Sequence, residues 1–104
     1  MFSVIYSFQA KEGFEESFES AWKELTILFL DFAGGLGSRL HKSEGNQYIA
    51  YAQWPDEETW EVANSKLPDD ASKIREAMRN AIEKIEILYK LNVVDDLLVK
   101  NAID

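Results

Sequence analysis

Residues Phe2 to Phe8 alternate, with Phe2, Val4, Tyr6 and Phe8 set against Ser3, Ile5 and Ser7. That period of two, in β-branched and aromatic residues, predicts a first strand. Ala10 to Gly13 read as a turn. From about Phe14 to Phe32 the period changes to three and four. Phe14, Phe18, Ala21, Trp22, Leu25, Leu28, Phe29 and Phe32 then share one helical face. Glu15, Glu16 and Glu19 fall where the helix dipole favours negative charge. Gly34, Gly35 and Gly37 end the helix.

A second strand is predicted over Ser38 to Lys42, a turn over Ser43 to Asn46, and a third strand over Gln47 to Trp54. Pro55 stops that strand, and Asp56 is a good N-cap for a helix that turns Trp60, Ala63 and Leu67 inward and ends at Pro68. A further helix is predicted over about Asp70 to Ile85, from Ala71, Ile74, Ala77, Met78, Ala81, Ile82 and Ile85. The last strand is expected over Ile87 to Val94, and a tail with apolar Leu97, Leu98 and Val99 begins at Asp95.

The order β-α-β-β-α-β predicts an α+β, ferredoxin-like protomer: one antiparallel sheet with the long helices on one face. The pattern leaves the second face partly apolar. Ile5 opposes Val4 and Tyr6; Ile49 and Tyr51 oppose Tyr48, Ala50 and Trp54; Ile87, Tyr89, Leu91 and Val93 oppose Leu88 and Val94. A sheet with one wet face alternates more cleanly. A second copy would cover these groups, so the expectation is a homodimer through the sheet faces; the alternative is a monomer with scattered exposed apolar side chains.

The 104 residues point to a single domain, 1–104, with 95–104 as its tail, and 46% apolar and 29% charged residues suit a modest core. The net charge of −8, from 11 basic and 19 acidic side chains, argues against nucleic acid or an anionic membrane as partner. The absence of cysteine removes disulfides, thiolate catalysis and Cys-ligated zinc. No apolar run approaches the ~20 residues that span a bilayer. The first residues also lack the pattern of a signal peptide, so a cytoplasmic protein is expected.

Candidate chemistry concentrates between Gly37 and Glu61. His41 is the sole histidine, and histidine is the usual acid/base residue at neutral pH. Alternation puts it on one face with Arg39, a pair suited to an anionic or phenolate oxygen; the plain alternative is a strand histidine with one hydrogen bond. Trp54 and Trp60 suit the walls of an aromatic-binding pocket, or equally core packing. Tyr6, Tyr48 and Tyr51 alternate within strands. One histidine cannot build a His-based metal site, and adjacent acidic pairs such as Glu57-Glu58 diverge on a helix, so no metal site and no cofactor are expected.

Several stretches carry a family resemblance. They are Lys11-Glu12-Gly13 followed by Phe14-Glu15-Glu16-Ser17-Phe18; Gly37-Ser38-Arg39-Leu40-His41; Tyr51-Ala52-Gln53-Trp54-Pro55; and Glu58-Thr59-Trp60-Glu61. With the element order, the chain resembles the antibiotic-biosynthesis-monooxygenase-like group of dimeric α/β-barrel proteins. The resemblance implies protomers paired through their sheets and a cavity between sheet and helices in each. Some members of the group oxidise polycyclic aromatic substrates with molecular oxygen and neither metal nor flavin; others open the heme ring. The heme-degrading Asn–Trp–His set has no match here: its Trp and His would fall near Ala63 and Lys73, and the first strand has no Asn. The quinone-forming members use an Asn, a Trp and a Tyr, types that Asn64, Trp60 and Tyr51 supply. The implied function is therefore cofactor-independent oxidation, or binding, of a small aromatic or quinone-like molecule. His41 is expected as base or oxyanion partner, Arg39 as anion holder, and Tyr51, Trp54, Trp60, Tyr6 and Asn64 as substrate contacts. A non-catalytic homodimer of the same fold is the alternative.

Overall fold

The computed structural model describes residues 1–99. Four strands form one antiparallel sheet: β1 (Phe2–Ala10), β2 (Gly37–Lys42), β3 (Gln47–Trp54) and β4 (Ile82–Asn92). Their spatial order is β2-β3-β1-β4, so β1 and β3 are central and β2 and β4 form the edges. Three helices accompany them: α1 (Glu15–Phe32), the short α2 (Glu57–Glu61) and α3 (Ala71–Ala81). This is the ferredoxin-like α+β arrangement that the hydrophobic pattern predicts.

The β1–β3 register sets Phe2 opposite Trp54, Val4 opposite Ala52, Tyr6 opposite Ala50 and Phe8 opposite Tyr48. Residues paired across an antiparallel ladder share a face, and this face meets the helices. Phe18 of α1 is fully buried there, with ring centroids 5.0 Å from Phe8 and 4.7 Å from Tyr48. A second part of the core gathers Phe2, Val4, Ala33, Ala52, Trp54 and Ala63 near the other end of the sheet. The opposite face carries Ser3, Ile5 and Ser7 of β1 with Ile49, Tyr51 and Gln53 of β3.

Two elements depart from the periodicity. The helix expected to Ile85 ends at Ala81, and β4 starts at Ile82 rather than Ile87. Helical spacing of Ile82 and Ile85 is real, but both are β-branched and have β1 to pair with. Ala10 pairs with Ile82 and Phe8 with Ile85, and the Lys11 N–H donates to the Ala81 carbonyl at the junction. Ladder bonds to a central strand outweigh a weak local preference. The helix expected to run from Asp56 toward Pro68 is interrupted as well: α2 closes at Glu61 and a single 3-10 turn covers Ala63–Lys66.

Regular alternation also assigns Ile87 and Tyr89 to one face, and the structure separates them. Tyr6 pairs with Ile87 while Ile5 pairs with Tyr89, so Leu88 is an extra residue in a β-bulge. Ile87 therefore lies on the helix side, and Tyr89 and Leu91 on the open side. Beyond β4 the Val93 N–H bonds the Met1 carbonyl and the chain continues as an irregular tail. The last part of the expected tail, residues 100–104, lies outside the described residues.

Candidate functional site

The helix-covered face encloses a cavity of about 190 Å³. Its floor is Tyr6, Phe8, Ala52 and Trp54 of the sheet; its roof is Trp22, Leu25, Thr26, Phe29 and Leu30 of α1; Met78 and Ile85 close one flank and Gly35, Gly37 and Ser38 another. The cavity exists because β1 and β3 place large rings at the two ends of this face and alanines between them. Ala52 leaves room under α1 that Phe8 and Trp54 do not fill.

The chain leaves α1 tightly against this wall. Gly34 has φ +77°, and a β-carbon on Gly35 would lie 3.3 Å from the Phe29 carbonyl oxygen and 3.5 Å from Trp54. Both positions thus favour glycine, one for its backbone and one for its size. The Gly35 N–H donates to the Phe29 carbonyl, and Phe29 meets Trp54 edge-on at 5.6 Å. Trp54 is thereby clamped as a cavity wall.

At the Tyr6 side the lining becomes polar. The Trp60 indole N–H donates to the Tyr6 hydroxyl at 2.8 Å. Burial pushes the Tyr6 pKa above its ordinary value, and the Trp60 bond offsets that only in part. Tyr6 is consequently a protonated donor throughout the physiological range. Its oxygen already accepts from Trp60, so its own proton is left to point elsewhere. Trp60 is held by Phe2, at 5.8 Å between ring centroids, and by the Lys90 ammonium 5.8 Å from its own ring. The Asp56 carboxylate anchors α2 beneath it, accepting from the Thr59 N–H at 2.8 Å and from the Thr59 hydroxyl at 2.6 Å. These two bonds hold the Asp56 pKa below its ordinary value.

The remaining sequence candidates lie elsewhere. Arg39 pairs with Tyr51 and His41 with Ile49, which puts Arg39, His41 and Tyr51 on the open face, with the sheet between them and the cavity. His41 Nδ1 is 3.1 Å from the Ile49 carbonyl oxygen, and the ring is exposed. The Tyr51 hydroxyl accepts from Ser3 and from Gln53, each at 3.1 Å, inside a small polar network. Arg39, Tyr51 and Gln53 border a shallow second hollow that Leu98 of the tail also lines. Asn64 is exposed on the 3-10 turn, and its Oδ1 accepts from Arg75 at 2.7 Å. The structure thus brings Tyr6, Trp54 and Trp60 together and leaves Arg39, His41, Tyr51 and Asn64 apart from them. Sequence reasoning missed the α1 roof of Leu25, Thr26, Phe29 and Leu30. Helical spacing marks Leu25 and Phe29 as inward-facing, but Thr26 and Leu30 lie off that face, and a core and a cavity wall have the same periodicity.

The family profile of antibiotic biosynthesis monooxygenases matches residues 1–84. The chain belongs to that family. No curated protein matches the sequence. Similar solved structures include SnoaB of Streptomyces nogalater, a cofactor-independent oxygenase, at 18% identity over 92% of this chain and 95% of that one, with a TM-score of 0.75. PA3566 of Pseudomonas aeruginosa is 18% identical over 90% of this chain and 94% of that one, with a TM-score of 0.70. Rv0793 of Mycobacterium tuberculosis is 10% identical over 93% and 98%, with a TM-score of 0.72. At these identities the likeness establishes the fold. The antibiotic biosynthesis monooxygenase domain here has no helix, among the described residues, long and apolar enough to cross a membrane. No group of three or more His, Cys, Asp or Glu side chains converges in a metal-binding arrangement among those residues.

Proposed function

We propose that this protein is a monooxygenase-like enzyme that binds a small phenolic molecule in the α1–sheet cavity and oxidises it with molecular oxygen. The observation that carries this reading is an apolar, ring-walled cavity with a protonated tyrosine in its lining. Flat aromatic walls suit a flat substrate. Membership of the family, and the fold shared with SnoaB, support the reaction class.

The chemistry asks little of the protein. A bound phenolate is electron-rich, and the ring carbon para to its oxygen can meet oxygen directly. That carbon loses hydrogen and gains one oxygen atom; the second oxygen atom leaves as water, and the product is a quinone. The four electrons that reduce the two oxygen atoms all come from the substrate, and the two hydrogens of the water are those lost from the ring carbon and from the phenol. The Tyr6 O–H, fixed by Trp60, donates to the phenolate oxygen and favours the ionised form. Trp54 contributes wall area. Tyr6→Phe tests this: it keeps the ring and removes the donor. Turnover, followed by oxygen uptake with a phenol panel, is expected to fall about 100-fold. Unchanged turnover in Tyr6→Phe rules out this role for Tyr6.

A second reading rests on a specific observation. His41 and Arg39, the base and anion-holder candidates, face away from the cavity, and a cavity with neutral lining residues suits a binding protein as well as an enzyme. Ligand binding with no oxygen uptake under any phenol or hydroquinone would favour it.

Under either reading the protein works as a homodimer through its open sheet face. Tyr89 is 62% exposed there and Leu91 44%, beside partly exposed Ile5, Ile49 and Tyr51. Exposed apolar groups gathered on one sheet face suit a partner surface. Native mass spectrometry is expected to give twice the chain mass.

A further inference from the structure

Two hydroxyl groups in the cavity wall have their polarity set by bonds they already make. The Tyr6 oxygen accepts the Trp60 indole N–H at 2.8 Å, which leaves the Tyr6 O–H as a donor. Ser38 is the reverse. Its hydroxyl donates to the Tyr51 carbonyl oxygen at 2.9 Å, so its proton is committed and its oxygen is left as an acceptor. Ser38 pairs with Ala52 across the β2–β3 ladder, and residues paired in this way share a face. Its short side chain therefore stands on the helix side, beside the alanine that leaves room under α1. Gln53 also borders the cavity, but its amide is spent on the open face, where it donates to the Tyr51 hydroxyl.

The wall thus offers a donor at one place and an acceptor at another. Tyr6 and Ser38 are carried by strands on either side of β3, roughly 10 Å apart. An apolar cavity of about 150 Å³ accommodates a benzene-sized ring. At about 190 Å³ this one suits a single substituted ring. A ring with polar groups at opposite ends, and one hydrogen bond at each, covers a similar span.

We infer that Ser38 is a specificity-determining residue, and that the ligand is a single aromatic ring with a phenolic oxygen at one end and a hydrogen-bond donor, hydroxyl or amino, at the other. This rests on the cavity being the substrate site and on Tyr6 holding the phenolic oxygen. The donor at the far end binds the Ser38 oxygen. A methyl group in its place leaves that bond unmade. A carbonyl there meets the Ser38 lone pairs, and Ser38 can answer it only by giving up its bond to Tyr51.

The test is calorimetric titration of the whole protein, in the absence of oxygen, with hydroquinone and 4-methylphenol, which differ by a hydroxyl against a methyl group of similar size. The wild-type protein is expected to prefer hydroquinone by about 10-fold. In Ser38→Ala that preference is expected to vanish, with hydroquinone weakened about 10-fold and 4-methylphenol changed by less than about twofold. The same preference in both proteins overturns the Ser38 assignment alone, as does equal weakening of both probes. Failure of the wild-type protein to bind either probe overturns the inference together with the cavity reading beneath it. Should Ser38→Ala not fold, the wild-type protein decides with a second pair, 4-aminophenol and 4-fluorophenol. The amine is expected to bind about 10-fold tighter, and equal affinity overturns the inference. Oxygen uptake measured afterwards separates the two proposals: a hydroquinone preference lost in Ser38→Ala, without turnover in the wild-type protein, removes the enzyme reading and leaves the Ser38 assignment standing.

Discussion

The two faces of the sheet are made from the same strands and have opposite characters. On the helix side Phe2, Val4, Tyr6 and Phe8 face Tyr48, Ala50, Ala52 and Trp54 beneath α1. On the open side Ser3 and Gln53 donate to the Tyr51 hydroxyl and Gln47 donates to Ser7, around scattered apolar groups, and the edge carries Arg39 and His41. The difference teaches where each kind of chemistry can live. The face that can exclude water and grip a ring has neutral polar groups only. The face with the titratable candidates is open to solvent or to a partner. Residue type alone points to His41 and Arg39; enclosure points to Tyr6 and Trp54.

The comparison breaks most severely if the helix side loses its centre. Phe18→Ala removes a fully buried ring in contact with Phe8 and Tyr48. It is expected to cost about 3–5 kcal/mol, read by denaturant unfolding. A variant that unfolds at the wild-type midpoint would mean that the face is not packed as described. The open side is tested by Tyr89→Glu combined with Leu91→Glu. Placing two charges on a face that meets its own copy should raise the dimer dissociation constant by at least about 100-fold, with little change in the fold. Light scattering across a dilution series reads this, and an undisturbed dimer would move the interface elsewhere.

Tyr48 sharpens the comparison at a smaller scale. Its side chain is buried on the helix side, and its hydroxyl donates to the Glu19 carboxylate at 2.6 Å. Burial and that carboxylate together push its pKa up to about 12. A pKa raised on folding means that the protonated form is preferred in the folded state. Its contribution is fully present below about pH 10 and is lost as pH rises toward about 12. Tyr48→Phe should cost about 1 kcal/mol at neutral pH and flatten that alkaline decline, measured by thermal unfolding against pH. His41→Ala is the smallest change. An exposed edge-strand residue is expected to alter stability by less than about 0.5 kcal/mol. Because His41 is across the sheet from the cavity, phenol binding and turnover should also be preserved. A tenfold loss of turnover would carry the open face, and with it the partner subunit, into the active site.

How far the sequence could be read varies by element. β1, α1 and β3 were legible because each has one clean period and one buried face. The boundary between α3 and β4 was not, since Ile82 and Ile85 satisfy a helical spacing and a strand composition at once. The interrupted segment after Asp56 was legible at its cap, where Asp56 takes the Thr59 N–H, but not at its end. In the candidate site, Trp54 and Trp60 stood out as aromatic groups flanking a turn. The Tyr6–Trp60 bond spans 54 positions, and no local pattern announces a contact at that distance.

The sequence by itself determined the element order, the helix-facing set of β1 and β3, and the family. Those follow from periodicity and short-range chemistry, which act within a few residues. The tertiary structure decided which candidates share a site. Whether a strand residue looks into the cavity or away from it depends on which face α1 covers, and the Leu88 bulge reverses that assignment between Ile87 and Tyr89. It also decided that the Trp60 donor is spent and the Trp54 donor is not. Hydrogen-bond partners are chosen by packing in three dimensions, and a sequence lists donors without saying whom they meet.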